Sequence, residues 1–324
     1  MSLPEPGPGA GPSPEDSGPR SPRAGTVALV GRPNAGTSTL MNRLLEEKVA
    51  IVSDKPQTTR QRLVGILSTE RGQIVFHDTP GVHRPLHRLN KQMLRHATDA
   101  LAEADVACLL VDASQPFGKG DAFMLDLVER ARGPNRRMNV ALLNKIDRVA
   151  KPKLLPRIAR YAESGLFREI VPVSALTGDG LDRVLALLWD LLPEGPPLYD
   201  PELLTIHPER FLAAERIREK VLEATREELP FATAVVVEAW EDEPERPFTR
   251  IHASILVERP GQKKILVGRQ GAMIKRIGTA ARHDLEAFLE RKVHLDLHVR
   301  EEPDWRENRR VLADLEREVF WVRA

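Results

Sequence analysis

Short runs of β-branched and other apolar residues alternate with longer amphipathic stretches through much of the chain. The runs with the pattern of buried strands span residues 26–30, 73–76, 106–111, 139–143 and 169–173. Because helical crossovers separate them, the pattern predicts an α/β domain with a mostly parallel sheet over residues 25–192. Ligands of such sheets bind at the carboxyl ends of the strands. The loops that follow the predicted strands are therefore where we expect chemistry.

A second pattern begins after the Pro- and Gly-rich residues 192–197, which cannot continue a helix or a central strand. We predict a linker over residues 193–209 and an α+β domain over residues 210–302. Its predicted order is helix (210–228), strand (232–238), strand (250–257), two helices flanking residues 268–271, and strand (293–299). Residues 1–24 are predicted to be a disordered Pro- and Gly-rich extension, and residues 303–324 a C-terminal tail.

Composition narrows the class of protein. The chain has 324 residues, a formal net charge of +1 and one cysteine, Cys108, in an apolar run. A disulfide framework and a Cys-rich metal site are therefore excluded. No apolar run approaches the roughly 20 residues that cross a bilayer, and the N-terminus has no secretory signal, so we expect a cytoplasmic protein.

The loop after the first predicted strand has the composition of a phosphate-binding loop. It opens a predicted helix, so backbone amides and the positive helix end can hold phosphate groups. The usual Lys before the Ser is replaced by Thr37, which is too short to reach the same phosphates. Arg32 and Arg60 are weaker candidates to supply the missing charge. The candidate residues of this loop are Gly31, Arg32, Pro33, Asn34, Ala35, Gly36, Thr37 and Ser38.

Three further motifs follow predicted strands, in the chain order typical of GTPases. Asp78 can orient a water on Mg²⁺, and the Gly81 amide can contact a γ-phosphate. Asp147 can accept two hydrogen bonds from guanine, Lys145 can cover the base, and the Ala175 amide can reach guanine O6. Each motif alone is also a common polar loop, but their joint occurrence indicates GTP binding. The candidate residues are Asp78, Thr79, Pro80, Gly81, Asn144, Lys145, Asp147, Ser174 and Ala175.

Thr59 lies in a segment, Gln57-Thr58-Thr59-Arg60, that resembles the first switch of bacterial GTPases. There it would complete Mg²⁺ coordination with Ser38 and Asp78 when GTP is bound. We therefore assign Thr59, Asp78 and Gly81 as the catalytic residues. Val82 stands where many GTPases carry a water-positioning Gln and cannot hydrogen-bond to water, so hydrolysis is expected to be slow.

The second domain carries a candidate surface for nucleic acid. Residues 261–300 contain nine Lys or Arg against four Asp or Glu, a basic patch that the net charge conceals. They resemble a KH motif of the second topology, whose Gly-x-x-Gly loop brings the backbone close to a single strand. The candidate RNA-binding residues are Lys263, Lys264, Gly268, Arg269, Gln270, Gly271, Lys275 and Arg276.

With the stretches at residues 194–196, 210–215 and 303–306, these motifs resemble the Era family of GTPases from about residue 27 to about residue 306. The resemblance implies a P-loop GTPase domain followed by a type 2 KH domain, with GTP or GDP and Mg²⁺ as cofactors. By analogy with GTPases that carry an Asn in the phosphate loop, Asn34 is a candidate K⁺ ligand. The implied partners are the 3′ region of 16S ribosomal RNA and the small ribosomal subunit, whose assembly and maturation the family assists. The family also associates peripherally with the inner membrane, and we expect a monomer.

Three hypotheses follow for the function of the chain. In the first, it is a slow GTPase switch that regulates RNA binding, which retention of Ser38, Asp78 and Asp147 favours. In the second, Thr37 silences the nucleotide domain, and the chain is an RNA-binding assembly factor indifferent to GTP. In the third, the C-terminal domain serves only for protein interaction, which the basic Gly-x-x-Gly region argues against.

Overall fold

The computed structural model describes residues 21–82, 87–131 and 138–320, and two sheets organise these residues. The strands of the larger sheet are β1 (Arg23–Gly31), β2 (Leu63–Thr69), β3 (Gly72–Asp78), β4 (Val106–Asp112), β5 (Met138–Asn144) and β6 (Glu169–Pro172). They lie in the order β2-β3-β1-β4-β5-β6. Only the β2–β3 pair is antiparallel, so the predicted, mostly parallel sheet is confirmed.

Helices cover both faces of this sheet, which explains why its central strands are apolar on both sides. The helices of this half are α1 (Thr37–Leu45), α2 (Arg88–Glu103), α3 (Lys119–Ala131), α4 (Leu154–Ala162) and α5 (Leu181–Leu191). Helices α1 and α5 pack on one face, and α2, α3 and α4 pack on the other. All seven residues of β3 are buried. The carboxyl ends of β1, β3 and β5 consequently meet at one edge.

The smaller sheet is built from β7 (Ala234–Asp242), β8 (Phe248–Val257) and β9 (Lys292–Glu301), in that order. Strand β8 pairs antiparallel with β7 and parallel with β9. Helices α6 (Glu209–Ala224), α7 (Pro260–Val267) and α8 (Ala272–Leu289) pack on it through one apolar cluster. This helix-strand-strand-helix-helix-strand order confirms the predicted type 2 KH fold.

The structure differs from the predicted boundaries at both ends of the larger domain. Residues 1–20 of the predicted extension lie outside the described residues, whereas Arg23 and Ala24 already pair with β3. The linker is ordered against the sheet, because Leu204 O accepts a hydrogen bond from Ile66 N on the edge strand β2 (2.8 Å). An edge strand needs such partners for its free backbone groups. Strand β2 itself was not predicted.

The described part of the predicted C-terminal tail is folded and contains a helix that was not predicted. Helix α9 (Arg309–Phe320) follows Trp305, which is fully buried and donates its indole N–H to Ala232 O at 2.9 Å. Trp305 and Leu312 share an apolar cluster with Leu89 and Met93 of α2. This segment therefore packs between the two domains.

Candidate nucleotide site and nucleic-acid surface

The phosphate loop joins the end of β1 to the start of α1 and is closed around a glycine. Gly36 has a φ of 100°, in the left-handed region, and a Cβ there would lie 2.5 Å from the side-chain nitrogen of Asn144. Only glycine fits both constraints. The loop therefore presents its amides and the N-terminal end of α1 to one cleft, where both favour an anion.

Three side chains converge at the mouth of this loop: Ser38, Thr59 and Asp78. Ser38 Oγ donates to Asp78 Oδ2 at 2.6 Å and lies 2.8 Å from Thr59 Oγ1. Thr59 Oγ1 lies 3.4 Å from the same carboxylate oxygen. Sequence reasoning placed all three at one metal site, and the structure brings them together.

Asp78 is fully buried, and its Oδ1 has no hydrogen-bond partner among the described residues. Burial raises the pKa of Asp78 to about 6, partly offset by hydrogen bonds from the hydroxyls of Ser38, Thr37 and Thr59. An unpartnered carboxylate oxygen beside two hydroxyls is a donor set that suits a hard cation. These residues fit Mg²⁺.

Charged side chains are sparse along the cleft in front of these groups. In the part of the chain that the structure describes, Arg32 is the one charged residue of the lining. Its guanidinium forms an ion pair with the buried carboxylate of Asp121 at 2.8 Å. Thr37 occupies the position of the usual Lys at the start of α1. Among the described residues, no lysine lines this cleft.

The hypothesis that Arg60 reaches the phosphates is wrong. Arg60 turns into the second domain, where it donates to the backbone oxygens of Thr233 (2.5 Å), Pro230 (3.1 Å) and Phe231 (3.3 Å). It also lies 5.5 Å from the centre of the Trp305 ring. Burial and the nearby Arg218 lower the pKa of Arg60 to about 9. The guanidinium therefore binds carbonyl oxygens of the second domain and is directed away from the cleft.

Asn144 joins the loops of the site. Its Nδ2 donates to Ala35 O at 2.8 Å, and its Oδ1 accepts from the Ala175 amide at 2.9 Å and the Lys145 amide at 2.8 Å. The side chain is buried. Its role in this structure is to tie the phosphate loop to the two predicted base-binding loops. The Ala175 amide, predicted for guanine O6, donates here to Asn144.

The base-recognition residues are held by partners of their own. Ser174 Oγ donates to Asp147 Oδ1 at 2.6 Å, which fixes the carboxylate that is predicted to bind guanine. Lys145 Nζ lies 2.8 Å from Asp112 Oδ2 at the end of β4. Burial would raise the pKa of Asp112, but the hydrogen bonds from Lys145 and Ser114 lower it below the usual value. Sequence reasoning missed Asp112, although a carboxylate at a strand's carboxyl end was a usable signal.

In the motif at the end of β3, Thr79 has a structural role, whereas Gly81 faces the cleft. Thr79 is fully buried, and its hydroxyl donates to Leu29 O at 2.9 Å, so its side chain secures β3 to β1. Gly81 lines the cleft, and a Cβ there would lie 2.6 Å from Pro33 Cα. Val82 is buried in the apolar cluster against α2 and α3. Close approach to the phosphate loop therefore requires glycine at 81.

The Gly-x-x-Gly loop connects α7 and α8 in the second domain. Gly268, Gln270 and Gly271 have φ values of 72°, 52° and 78°, all in the left-handed region. Lys264, Arg269, Gln270, Lys275 and Arg276 are exposed around it. Lys263 instead faces Glu301 at 3.8 Å. The exposed Ile265 adds an apolar surface beside the basic side chains.

Helix α6 contributes contacts to the nucleotide domain that sequence reasoning missed. Arg218 donates to Thr58 O, and Glu219 accepts from Val52 N and Lys48 Nζ. Both side chains are buried. Their positions follow the ordinary polar pattern of an amphipathic helix, so no local signal distinguishes them.

No helix in the described ranges is long and apolar enough to span a bilayer. The expectation of peripheral membrane association stays a prediction.

Comparisons with known proteins cover both domains. A family described as 50S ribosome-binding GTPase matches residues 26–145, and the KH domain family matches residues 228–306. GTPase Era of Geobacter metallireducens is 47% identical over 293 residues, which cover 90% of this chain and 97% of the relative. GTPase Era of Leuconostoc citreum is 45% identical over 294 residues, covering 90% and 96%.

Two solved structures match nearly the whole chain. One is Era in complex with MgGDPNP and nucleotides 1506–1542 of 16S ribosomal RNA, with 36% identity and a TM-score of 0.86, covering 91% of this chain and 98% of that one. The other is a Tyr-to-Ala variant of Aquifex aeolicus Era bound to GDP·AlF4⁻, with 36% identity, a TM-score of 0.86 and coverage of 90% and 98%. At this identity and coverage over both domains, the chain belongs to the Era family of GTPases.

Proposed function

We propose that this chain is a guanine-nucleotide switch that binds GTP with Mg²⁺, hydrolyses it slowly to GDP and phosphate, and binds the 3′ region of 16S ribosomal RNA. In this role it assists assembly and maturation of the small (30S) ribosomal subunit. The observation that carries the nucleotide part is the convergence of Ser38, Thr59 and Asp78 beside the phosphate loop. The Era relative solved with MgGDPNP and 16S RNA supports both parts.

Each group of the site has a distinct task in this proposal. The amides at the start of α1 hold the β-phosphate, and Ser38, Thr59 and Asp78 hold Mg²⁺, which neutralises charge on the phosphate oxygens when bound. Gly81 is close enough to the phosphate loop for its amide to contact the γ-phosphate. Asp147, fixed by Ser174, accepts hydrogen bonds from guanine.

Hydrolysis is slow in this proposal because of two side chains. The buried, apolar Val82 cannot orient the attacking water. Thr37 carries no positive charge that could stabilise the negative charge that develops on the phosphates during hydrolysis. Asn34 remains the candidate K⁺ ligand: its amide nitrogen donates to Asp54 O at 2.8 Å, so its side-chain oxygen is the atom that K⁺ would use.

The RNA part of the proposal rests on the Gly-x-x-Gly loop. Its left-handed glycines let a strand's phosphates approach the backbone, and the exposed Arg269, Lys275 and Arg276 supply charge. Bases would rest against the neighbouring apolar side chains, including Ile265. The comparisons do not support the alternative of a silenced nucleotide domain.

Equilibrium binding of a fluorescent GTP analogue with Mg²⁺ tests the proposal. We expect the unaltered protein to bind with about micromolar affinity and Thr37→Lys to bind about 10- to 150-fold more tightly, the worth of one charge-assisted hydrogen bond. Asp147→Asn should abolish binding of the guanine analogue and favour a xanthine analogue, since an amide presents one acceptor and one donor. Binding that occurs only in Thr37→Lys would instead establish a silenced domain.

A further inference from the structure

The loop between α1 and β2, residues 46–62, carries Thr59 and is hereafter the switch loop. It is held at several points by the second domain. Immediately before Thr59, the carbonyl oxygen of Thr58 accepts a hydrogen bond from Arg218 Nη2 on α6. Immediately after it, Arg60 donates to backbone oxygens at residues 230–233. Thr59 thus lies between two residues that are both hydrogen-bonded to the second domain.

The N-terminal part of the switch loop is anchored by the next residue of α6. Glu219 Oε1 accepts from Val52 N at 3.0 Å, and Oε2 accepts from Lys48 Nζ at 2.6 Å. Arg216 Nη2, one turn earlier on α6, donates to Lys48 O at 2.9 Å. Burial would raise the pKa of Glu219, but its hydrogen bonds from Lys48 and Val52 lower it below the usual value. The carboxylate is therefore ionised where it holds the loop.

These anchoring side chains are buried, which makes the loss of their hydrogen bonds costly. Arg218 and Glu219 are 2% and 3% exposed, so the loss of either leaves a desolvated partner behind. Surface ion pairs contribute far less, because water competes for them. On the nucleotide side, Asn34 Nδ2 donates to Asp54 O at 2.8 Å, and the Asn42 side chain on α1 hydrogen-bonds to the backbone of residues 49 and 50. The nucleotide-domain anchors hold residues 49–54, whereas the residues on either side of Thr59 are held by the second domain, with Arg218 of α6 bonded to Thr58 O.

We propose that Arg218 and Glu219 are positioning residues for Thr59, so that helix α6 of the second domain sets the preference of the nucleotide site for GTP over GDP. The inference rests on the proposed function, in which Thr59 contacts the metal only with the triphosphate. Neither side chain lines the nucleotide cleft. Loss of their hold releases Thr59 and weakens GTP binding, while GDP binding, which does not use Thr59, is retained.

The test compares affinities for a non-hydrolysable GTP analogue and for GDP in the full-length chain with Mg²⁺. Arg218→Gln is expected to weaken binding of the GTP analogue about tenfold while GDP affinity stays within about twofold, which corresponds to the loss of one buried charge-assisted hydrogen bond. The variant should also need more Mg²⁺ for half-maximal binding of the analogue. Glu219→Gln, which keeps an acceptor for Val52 N, should show the same selectivity with a smaller change.

Arg291→Gln is the matched control. Arg291 is a partly buried arginine of the second domain that contacts Glu209 and Thr249 and does not touch the switch loop. It should leave both affinities unchanged. Equal weakening of GTP analogue and GDP in the α6 variants, or no change in either, would overturn the inference. If Arg218→Gln does not fold, Glu219→Gln decides by the same criteria. Failure of the unaltered protein to bind GTP would refute the proposed function instead.

Discussion

His77 and Asp78 are neighbours on β3, and burial acts on their charges in opposite directions. Burial lowers the pKa of His77 to about 4, aided by the nearby Arg62, and raises that of Asp78 to about 6. In each case the neutral form is favoured because water is excluded. For Asp78, a bound cation would restore the charged form. For His77, the nearby Glu103 offsets burial only in part, so its protonation opposes folding.

The pH dependence of stability follows from His77. Its folded pKa of about 4 lies below the ordinary value of 6.5, so the unfolded chain binds more protons between these values. The free energy of unfolding therefore falls as pH drops from about 6.5 to about 4, by up to roughly 1.4 kcal/mol per pH unit. Asp78 acts in the opposite sense, with stability lost as pH rises through its folded pKa. The effect must be measured as a difference between variants.

Urea unfolding of the unaltered protein and of His77→Gln at pH 7 and pH 5 measures this difference. From pH 7 to pH 5, the unaltered protein should lose about 2 kcal/mol more unfolding free energy than His77→Gln. His294→Gln, at an exposed histidine of β9, is the control. Equal pH dependence in all three proteins would show that His77 is not the group responsible.

At the scale of elements, loops rather than helices or strands carry both candidate sites. The phosphate loop depends on a glycine at 36 for contact with Asn144, and the RNA loop on left-handed glycines at 268 and 271. The two glycines of the RNA loop differ in their surroundings. A Cβ at Gly268 would meet Met273 N at 2.9 Å, whereas Gly271 faces open space. A substitution at 271 therefore changes the surface without a clash.

Gly271→Asp is expected to weaken binding of a single-stranded RNA with the sequence of the 16S 3′ region by at least about tenfold. The added carboxylate lies where a phosphate would approach and repels it. Filter binding at fixed salt measures the effect. Gly165→Asp is the control, because Gly165 also has a positive φ (64°) and open space but lies in the nucleotide domain. Equal RNA affinity in both variants would contradict the assignment of this loop.

At the scale of the whole molecule, the chain beyond residue 303 fills the space between the domains. Trp305 lies under Arg60 of the switch loop and against Leu89 and Met93 of α2. Its indole N–H bonds to Ala232 O in the second domain. A single side chain thus contacts both domains. The packing of Trp305 therefore supports both the arrangement of the domains and the position of the switch loop.

Trp305→Ala should lower the free energy of unfolding by about 3–5 kcal/mol, because it opens a large cavity and leaves the Ala232 carbonyl without its donor. The urea midpoint by circular dichroism measures the change. Trp240→Ala, at a half-buried tryptophan of β7, should cost clearly less. Comparable midpoints for the two variants would show that the segment around Trp305 is not part of the core.

The strands β1, β3, β4 and β5 were predictable because strands buried on both faces are continuous apolar runs, which can be recognised from the local sequence alone. The shorter strand β6 was recognised from its β-branched residues, although only Val171 in it is buried. The Gly-x-x-Gly loop and the four nucleotide motifs were predictable for the same reason: each chemistry needs specific residues at short spacing. Strand β2 was missed because its interior includes Gly65, and a glycine inside a strand weakens the strand pattern. Helix α9 was missed because its apolar residues find their partners in another domain.

The sequence by itself determined the identity of the two domains and the residues that meet at the ends of the strands. The tertiary structure alone decided that Arg60 turns away from the cleft, that Asn144 ties the loops together, and that α6 anchors the switch loop. The physical reason is sequence distance. Motifs are set by neighbours along the chain, whereas Arg218 and Thr58 are 160 residues apart and meet only because two domains fold against each other.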